Sequence, residues 1–382
     1  MAEALKTFFS PPVVKRLADS IVSVSPSFPA LAFTRDACEG LDDLELLARG
    51  RHIAAALRAH LPARYADAVD VLVRSLGPEH ASDELQGAGM APFFYLPHAI
   101  FVATHGLDDF ELSMRAQHEI TRRFTCEFSI RPFLERYPKA TLAVLRRWVT
   151  DPSPHVRRLV SEGTRPRLPW APRVRWLDEH PDRVLPLLEA LKDDPASVVR
   201  RSVANHLNDL SRVNPDRVCE IAERWLDGAS SERRALVRHA LRSAVKRGNL
   251  RALTLLGFGQ KPRVEVAGVK FEPARVAIGG KTRIAFTLQA TTKQAQSLSV
   301  DLVVHFVKAR GTTSPKVFKV GRVKLGPFER AVLAKTISLA VHTTRRPNAG
   351  RHAVDALING QRFELGAFEV RPARSAPQAR AT

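Results

Sequence analysis

Three carboxylates and one tryptophan are the side chains of this sequence whose positions suggest chemistry. Glu127 lies in the most apolar stretch of the chain, RRFTCEFSIRPFLERYP, and Glu162, Asp209 and Trp170 lie in the segments that follow. Carboxylates grouped beside an aromatic face could stabilise a positively charged species by electrostatics and cation–π attraction. These residues are far apart in sequence, so only a tertiary fold can bring them together.

Glu127 has an unfavourable local setting. The apolar spacing predicts a helix over about 108–128, and Glu127 would then lie near its carboxyl end, where the helix dipole disfavours an anion. Pro132 disfavours a helical conformation at Arg131 and begins a new segment. These two circumstances indicate either a tight partner or a function. A structural ion pair with Arg131 or Arg123 is the ordinary explanation.

The other candidates also have ordinary explanations. Glu162 ends a predicted helix and could pair with Arg165, while Asp209 could cap a turn through Ser211. Trp170 lies in a loop stiffened by prolines and could simply fill the seam between two repeats, or it could offer an aromatic surface to a base. Considered together, the three carboxylates and the tryptophan occur near helix ends in adjacent helix pairs, which favours a shared site.

The elements that would position these residues form a repeat within residues 1–258. RYPKATLAVLRRWVTDPSPHVRRLVSEG aligns with EHPDRVLPLLEALKDDPASVVRRSVANH at a period of 43, and a third copy begins at Asn214 and continues with Val237-Arg238-His239. Each copy predicts a helix, a short turn and a second helix, which Asp-Pro opens as N-cap and first helical residue. A period near 40 with paired helices is typical of HEAT-like repeats, whose second helices line a concave face.

The hydrophobic pattern changes from helical to alternating near residue 258. About seven short segments rich in Val and Thr follow in residues 259–372, with Asn359-Gly360 marking a hairpin, and they predict an immunoglobulin-like sandwich. Residues 373–382 are predicted to be a disordered tail. The predicted fold class is therefore mainly α with a β domain: a HEAT-like α-solenoid followed by an immunoglobulin-like β-sandwich.

The chain carries a formal net charge of +20, and the charge is unevenly divided. Residues 259–382 hold 22 Lys/Arg and 7 Asp/Glu, whereas residues 1–258 hold 37 and 32. Such an excess predicts a polyanionic partner, nucleic acid before anionic membrane. Paired arginines on the second helices predict a basic groove, although some could form salt bridges within the stack. The candidate DNA-binding residues are Arg157, Arg158, Arg165, Arg200, Arg201, Arg238, Arg345 and Arg346.

Cysteine usage and hydropathy indicate the cellular compartment that we expect for the protein. Cys38, Cys126 and Cys219 are odd in number and lack metal-ligand spacing, so we expect reduced thiols and neither a disulfide framework nor a zinc site. The sequence has no signal-peptide pattern and no apolar run near the roughly 20 residues that span a bilayer. We expect a cytoplasmic protein without membrane association.

Several sequence segments of the chain resemble those of the AlkC family of bacterial DNA alkylation-repair glycosylases. They are LKTFFSPPVVKRLA, LELLARGRHIAAALRAHLP, FTCEFSIRPFLERYP, DPSPHVRRLVSEGTRPRLPWAPR and VRRSVANHLNDLS, in this order across residues 1–258. The last third resembles the immunoglobulin-like domain attached in one AlkC subgroup, through HTTRRPNAGRHAV and INGQ.

This resemblance implies an activity and a set of site residues. It implies hydrolysis of the N-glycosidic bond of cationic N-alkylated bases, chiefly 3-methylcytosine and 3-methyladenine, in double-stranded DNA during base excision repair, without a conventional base-flipping pocket. Carried over by motif, the catalytic carboxylates are Glu127 in CEF, Glu162 in SEG and Asp209 in NDLS, with Trp170 in LPWAP contacting the lesion. Cys126 replaces an expected Ser or Ala.

The chemistry of a cationic lesion agrees with these residue types. A cationic base is already a good leaving group, so the carboxylates need only stabilise an oxocarbenium-like sugar and position water. We therefore expect no metal and no organic cofactor, and a monomer acting on DNA. The alternative is a non-catalytic HEAT-repeat scaffold that binds DNA or protein, but a scaffold has no use for carboxylates clustered in a basic groove.

Overall fold

The computed structural model describes residues 5–79, 90–341 and 346–372. Helices occupy the chain up to Leu255, and strands follow from Val264, so the predicted fold class is confirmed. The α-helices are α1 Pro11–Val22, α2 Ala30–Cys38, α3 Leu46–His60, α4 Tyr65–Arg74, α5 Leu96–His105, α6 Phe110–Thr121, α7 Ile130–Arg136, α8 Pro138–Trp148, α9 Pro154–Glu162, α10 Arg175–Glu179, α11 Leu185–Leu191, α12 Ser197–Leu210, α13 Pro215–Leu226, α14 Ser231–Ala240, α15 Arg242–Lys246 and α16 Leu250–Leu255. Short 3-10 helices cover Leu5–Phe8, Leu41–Asp43, Ala91–Tyr95 and Pro181–Arg183.

The three repeat copies supply the helices α8 and α9, α11 and α12, and α13 and α14, as the period of 43 predicted. Pro138, Pro154 and Pro215 begin their helices, where a proline loses no intrahelical hydrogen bond. Helix α12 packs against both α9 and α14, so the second helices lie side by side.

The aspartates of the two Asp-Pro pairs, which were expected to be N-cap residues, lie two residues before the N-caps of α9 and α12. Ser153 and Ala196 are the N-cap residues of α9 and α12. Asp151 and Asp194 precede them and accept hydrogen bonds from the main-chain N–H two residues later, at 2.8 and 2.9 Å. Each aspartate thus forms the turn that leads into the second helix, as Asp side chains commonly do.

One arginine per copy fastens this turn. Arg157, Arg200 and Arg234 each donate a hydrogen bond to the carbonyl oxygen five residues earlier, at 2.8–3.0 Å. In the third copy, Arg234 makes this contact, four residues before Arg238.

The helix expected over about 108–128 ends early. Helix α6 stops at Thr121, and Glu127 lies in the turn that leads to α7. Phe124 and Cys126 are both buried although they are two residues apart. The apolar pattern that continues past Thr121 therefore fills the core from a turn and not from a helix.

The β domain contains two sheets among the described residues. Its strands are β1 Val264–Glu272, β2 Arg275–Ala277, β3 Lys281–Ala290, β4 Gln296–Val307, β5 Thr313–Leu325, β6 Arg330–Ser338, β7 Gly350–Ile358 and β8 Gln361–Arg371. One sheet has the order β1-β3-β6 and the other β2-β8-β7-β4-β5, with β2 and β8 parallel and the other pairs antiparallel.

The buried residues of both sheets form one apolar core, which includes Ile284, Phe286 and Leu302. The predicted hairpin turn is present between β7 and β8. Asn359 and Gly360 have φ angles of 45° and 83°, which the type I′ turn of a two-residue hairpin requires.

The chain forms two compact units. One comprises Met1–Val213 with Gly228–Ala240, and the other Asn214–Asp227 with Leu241–Thr382. The sequence boundary at residue 258 stays a prediction, and the tail 373–382 lies outside the described residues. In the described part of the chain, no helix combines the length and the apolarity that crossing a membrane requires.

Candidate active site

A chain of alternating charge joins the three predicted carboxylates. Arg158 Nη2 lies 2.9 Å from Glu127 Oε2 and 3.7 Å from Glu162 Oε1. Arg165 Nη1 lies 2.6 Å from the same Glu162 oxygen, and Arg165 Nε lies 2.9 Å from Asp209 Oδ2. Glu127 comes from the turn before α7, Glu162 from the end of α9 and Asp209 from the last turn of α12, so three separate segments meet here.

This geometry tests the ordinary explanations of Glu127 and Glu162 as members of simple ion pairs. Glu127 forms an ion pair with Arg158, whereas Arg131 donates hydrogen bonds to main-chain carbonyl oxygens and Arg123 forms an ion pair with Glu119. Glu162 does pair with Arg165, as its spacing allowed. The same guanidinium binds the carboxylate of the next repeat, so it links two acids instead of neutralising one.

Two hydroxyl groups orient the carboxylates. Thr125 Oγ1 donates to Glu127 Oε2 at 2.9 Å, and Ser202 Oγ donates to Glu162 Oε2 at 2.5 Å. Sequence reasoning missed both residues. Thr125 could have been found from its position two residues before Glu127, a spacing at which short polar side chains reach neighbouring groups. Ser202 lies 40 residues from Glu162, and no local signal reveals it.

The surroundings shift the pKa values of Glu162 and Asp209 in opposite directions. Burial favours the neutral form of Glu162, but the positive charges of Arg158 and Arg165 and the bond from Ser202 outweigh it and hold the Glu162 pKa below its usual range. Burial raises the pKa of Asp209, and Arg165 offsets this only in part. Glu162 is therefore a carboxylate at neutral pH, suited to stabilising a cation.

The carboxylate chain opens into a cavity of about 340 Å³. Glu127 and Glu162 line it together with Arg158 and Arg165, whereas Asp209 lies behind them. Thr125 lines it as well, and apolar and aromatic side chains form the rest of the wall: Pro92, Phe93, Phe124, Phe128, Leu168, Pro169 and Trp170. The cavity thus combines ionised groups with aromatic faces, which can hold a cationic or sugar-like group.

Trp170 is the exposed aromatic of this wall. Its residue is 65% exposed, and its backbone has φ 66°, a left-handed conformation uncommon for a residue with a side chain. The tryptophan is therefore presented to solvent and is not a plug between repeats. A backbone held in such a conformation at a cavity is an observation from which function can be inferred.

The candidate DNA-binding arginines differ in their exposure and in their partners. Arg157 is half-buried and forms an ion pair with the buried Asp194 at 2.6 Å, and Arg158 and Arg165 belong to the carboxylate chain. Arg201, Arg238 and Arg346 are exposed. Arg200 and Arg201 line a second groove, between α12 and α14. Arg345 lies outside the described residues, and the DNA-binding roles stay predictions.

The residues that the structure describes contain no group of three His, Cys, Asp or Glu side chains placed to hold a metal ion. Paired-helix repeats carry the carboxylates and the exposed tryptophan, and a basic β-sandwich follows them in the chain. A family model described as DNA alkylation repair enzyme matches residues 123–247, which include the whole carboxylate chain. A second model, described as the C-terminal Ig-like domain of the uncharacterised protein YhaZ, matches residues 265–372.

Two relatives match nearly the whole chain. The Pseudomonas fluorescens alkylpurine DNA glycosylase AlkC, solved bound to DNA containing an abasic site analog, is 35% identical, with a TM-score of 0.90 over 97% of this chain and 100% of that one. The Bacillus subtilis protein YhaZ is 31% identical over 96% of this chain and 99% of its own length. The chain therefore belongs to the AlkC family of DNA alkylation-repair proteins, with a C-terminal Ig-like domain.

Proposed function

We propose that this protein is a DNA glycosylase that hydrolyses the N-glycosidic bond of cationic N-alkylated bases, 3-methylcytosine and 3-methyladenine, in double-stranded DNA. The observation that carries the proposal is the opening of Glu127 and Glu162 into a cavity rimmed by Trp170. The AlkC relative, named as an alkylpurine DNA glycosylase, supports the reaction class.

The reaction needs little acid catalysis. When the bond between C1′ and the base nitrogen breaks, its electron pair stays with the base and cancels the positive charge of the alkylated ring. The sugar is left as an oxocarbenium-like cation, which the ionised Glu162 stabilises through space. Glu127 positions the water that adds to C1′ and accepts its proton.

Selectivity for charged lesions follows from the same arrangement. The carboxylate chain contains three acids and two arginines, so its ionised form carries one excess negative charge. A neutral base would leave as an anion, which this field disfavours, whereas a cationic base leaves neutral. The Trp170 face adds attraction for a cationic ring. Because the acids that act on C1′ line the cavity, we propose that the sugar enters it and that no conventional base-flipping pocket is used.

The arginines divide the work of holding the site and holding DNA. We propose that Arg158 and Arg165 hold the carboxylates, because their guanidinium groups already bind them. The exposed Arg201, Arg238 and Arg346 are then the better candidates for phosphate contacts. The basic β domain adds a sequence-independent attraction to the DNA backbone.

The test is base release from duplex oligonucleotides with one 3-methylcytosine, and from methylated DNA rich in 3-methyladenine. We expect wild type to release both bases and Glu127→Gln to lose at least about a hundredfold in rate while keeping its DNA affinity. Glu119→Gln is the matched control, because Glu119 is also paired with arginines but does not line the cavity. Intact binding with no release by wild type would support the non-catalytic scaffold instead.

A further inference from the structure

Arg131 is a buried arginine whose hydrogen bonds go to the main chain. It lies in α7 and is 1% exposed. Its guanidinium donates to the carbonyl oxygens of Pro172 at 2.8 Å, Gly163 at 3.0 Å and Arg165 at 2.9 Å. Among the described residues, none of its hydrogen bonds goes to a carboxylate. A buried charge without an ion pair is costly, so such an arrangement persists only where the hydrogen bonds are good or the position is useful.

The three carbonyl groups belong to the two ends of one loop. Gly163 directly follows the last residue of α9, and Pro172 lies shortly before α10. Between them lie Leu168, Pro169 and Trp170, which form one wall of the cavity. A single side chain therefore ties together both ends of the segment that carries the exposed tryptophan.

A close approach makes this bridge possible. A Cβ atom at Gly163 would lie only 2.6 Å from Ile130 Cγ2, so only glycine lets the start of α7 come so near to the end of α9. The bridged loop also holds Trp170 in the left-handed conformation, which its own backbone does not favour.

We propose that Arg131 is a positioning residue that holds the two ends of loop 163–172 together, and thereby holds Trp170 at the rim of the cavity. For its kinetic consequence the proposal rests on the proposed glycosylase function. The competing explanation is that Arg131 only stabilises the fold.

The chain offers a matched control for that explanation. Arg49 is 4% exposed and likewise donates to three carbonyl oxygens, those of Phe9 at 2.7 Å, Leu44 at 2.9 Å and Asp42 at 3.1 Å. None of these residues lines the cavity. Arg49→Lys thus removes the same kind of hydrogen bonds and leaves the Trp170 loop untouched.

Limited proteolysis measures whether the loop is held. Trypsin can cut after Arg167 and Arg173, whereas Arg165 is protected by the proline that follows it. We expect Arg131→Lys to speed cleavage at Arg167 and Arg173 by about tenfold or more, because cleavage tracks the population of the opened loop. Arg49→Lys should leave the rate at these sites unchanged. Equal rates in both variants would overturn the proposal. If the lysine variant does not fold, Arg131→Gln replaces it.

A double-mutant cycle measures whether Arg131 acts through Trp170. We expect Arg131→Lys and Trp170→Ala each to lower the single-turnover rate of base release by about tenfold. Arg131→Lys added to Trp170→Ala should then lower the rate little further. By contrast, any rate loss caused by Arg49→Lys should multiply with the loss caused by Trp170→Ala. A multiplicative loss of about a hundredfold for the first pair would refute action through the tryptophan. If wild type releases no base, the proposed function fails, and the cleavage comparison still decides whether Arg131 holds the loop.

Discussion

The replacement of Arg165 by methionine tests the carboxylate chain most directly. The change keeps an unbranched side chain of similar length but removes the positive charge between Glu162 and Asp209. The side chains of Arg165, Glu162 and Asp209 are 10%, 7% and 5% exposed, so two buried acids would be left with fewer partners. Glu162 keeps Arg158 at 3.7 Å and Ser202, while Asp209 loses its ion-pair partner.

The magnitude follows from the burial of these groups. Removal of one partner from a buried ion pair typically costs about 3–5 kcal/mol, because the remaining charge is uncompensated. We therefore expect Arg165→Met to lower the free energy of unfolding by about that amount at pH 7. Lys15→Met removes a comparable pair with Asp19 on the surface, where both side chains are more than half exposed. That control should cost less than about 1 kcal/mol.

The pH dependence sharpens this prediction. In the variant, the folded pKa of Asp209 rises further above its unfolded value, so folding takes up a proton and the protein gains stability as pH falls. In wild type, the lowered pKa of Glu162 contributes stability that is present above the unfolded pKa and lost as pH falls. The difference between the two proteins should therefore shrink towards pH 4.

Urea denaturation of both proteins at pH 7 and at pH 4.5 measures these differences. An Arg165→Met protein as stable as wild type at pH 7 would refute the reasoning. It would mean that the two acids do not depend on the guanidinium that lies between them.

Three further predictions concern stability and binding. Burial lowers the pKa of His98 and of His206 to about 4. Each histidine should therefore lower the free energy of unfolding by roughly 1.4 kcal/mol at pH 5.5 relative to pH 7.5. Urea titrations at the two pH values should show that His98→Leu removes part of this loss. Gly163→Ala should lower the melting temperature and the rate of base release together, because the added methyl group meets α7; a variant unchanged in both would contradict the close approach. Arg201→Ala and Arg238→Ala should each flatten the slope of log K against log salt by about 0.9 in binding titrations, and an unchanged slope would exclude a phosphate contact.

The helix pairs of the repeats could be predicted because their signals are local. Prolines at helix starts and apolar periodicity depend on residues within a few positions of one another. The same reasoning failed at Glu127, where the periodic pattern continued past Thr121 but the backbone turned. The turn places Phe124 and Cys126 in the core and Glu127 beside Arg158, which is 31 residues away in the chain, and no local pattern records that contact.

The sequence named the candidate carboxylates, but of their partners it indicated only Arg165 for Glu162. Arg158 and Arg165 read in the sequence as members of a basic groove, like Arg201 and Arg238. In the structure they face the acids, because α9, α12 and the turn before α7 converge there. Arg131 was considered only as a partner for Glu127, and its three carbonyl partners lie 32 to 41 residues away.

By itself, the sequence determined the class of the fold and the excess of positive charge, because composition and short-range periodicity carry that information. It also named the candidate acids, whose catalytic roles rest on the resemblance to AlkC and stay predictions. Only the tertiary structure decided which cation each acid binds, which acids reach the cavity and how the Trp170 loop is held. Those outcomes depend on distances of 2.6 to 3.7 Å, and the partners come together from as far as 44 residues apart in the chain. Electrostatic energy varies steeply over such distances, and no local pattern records them.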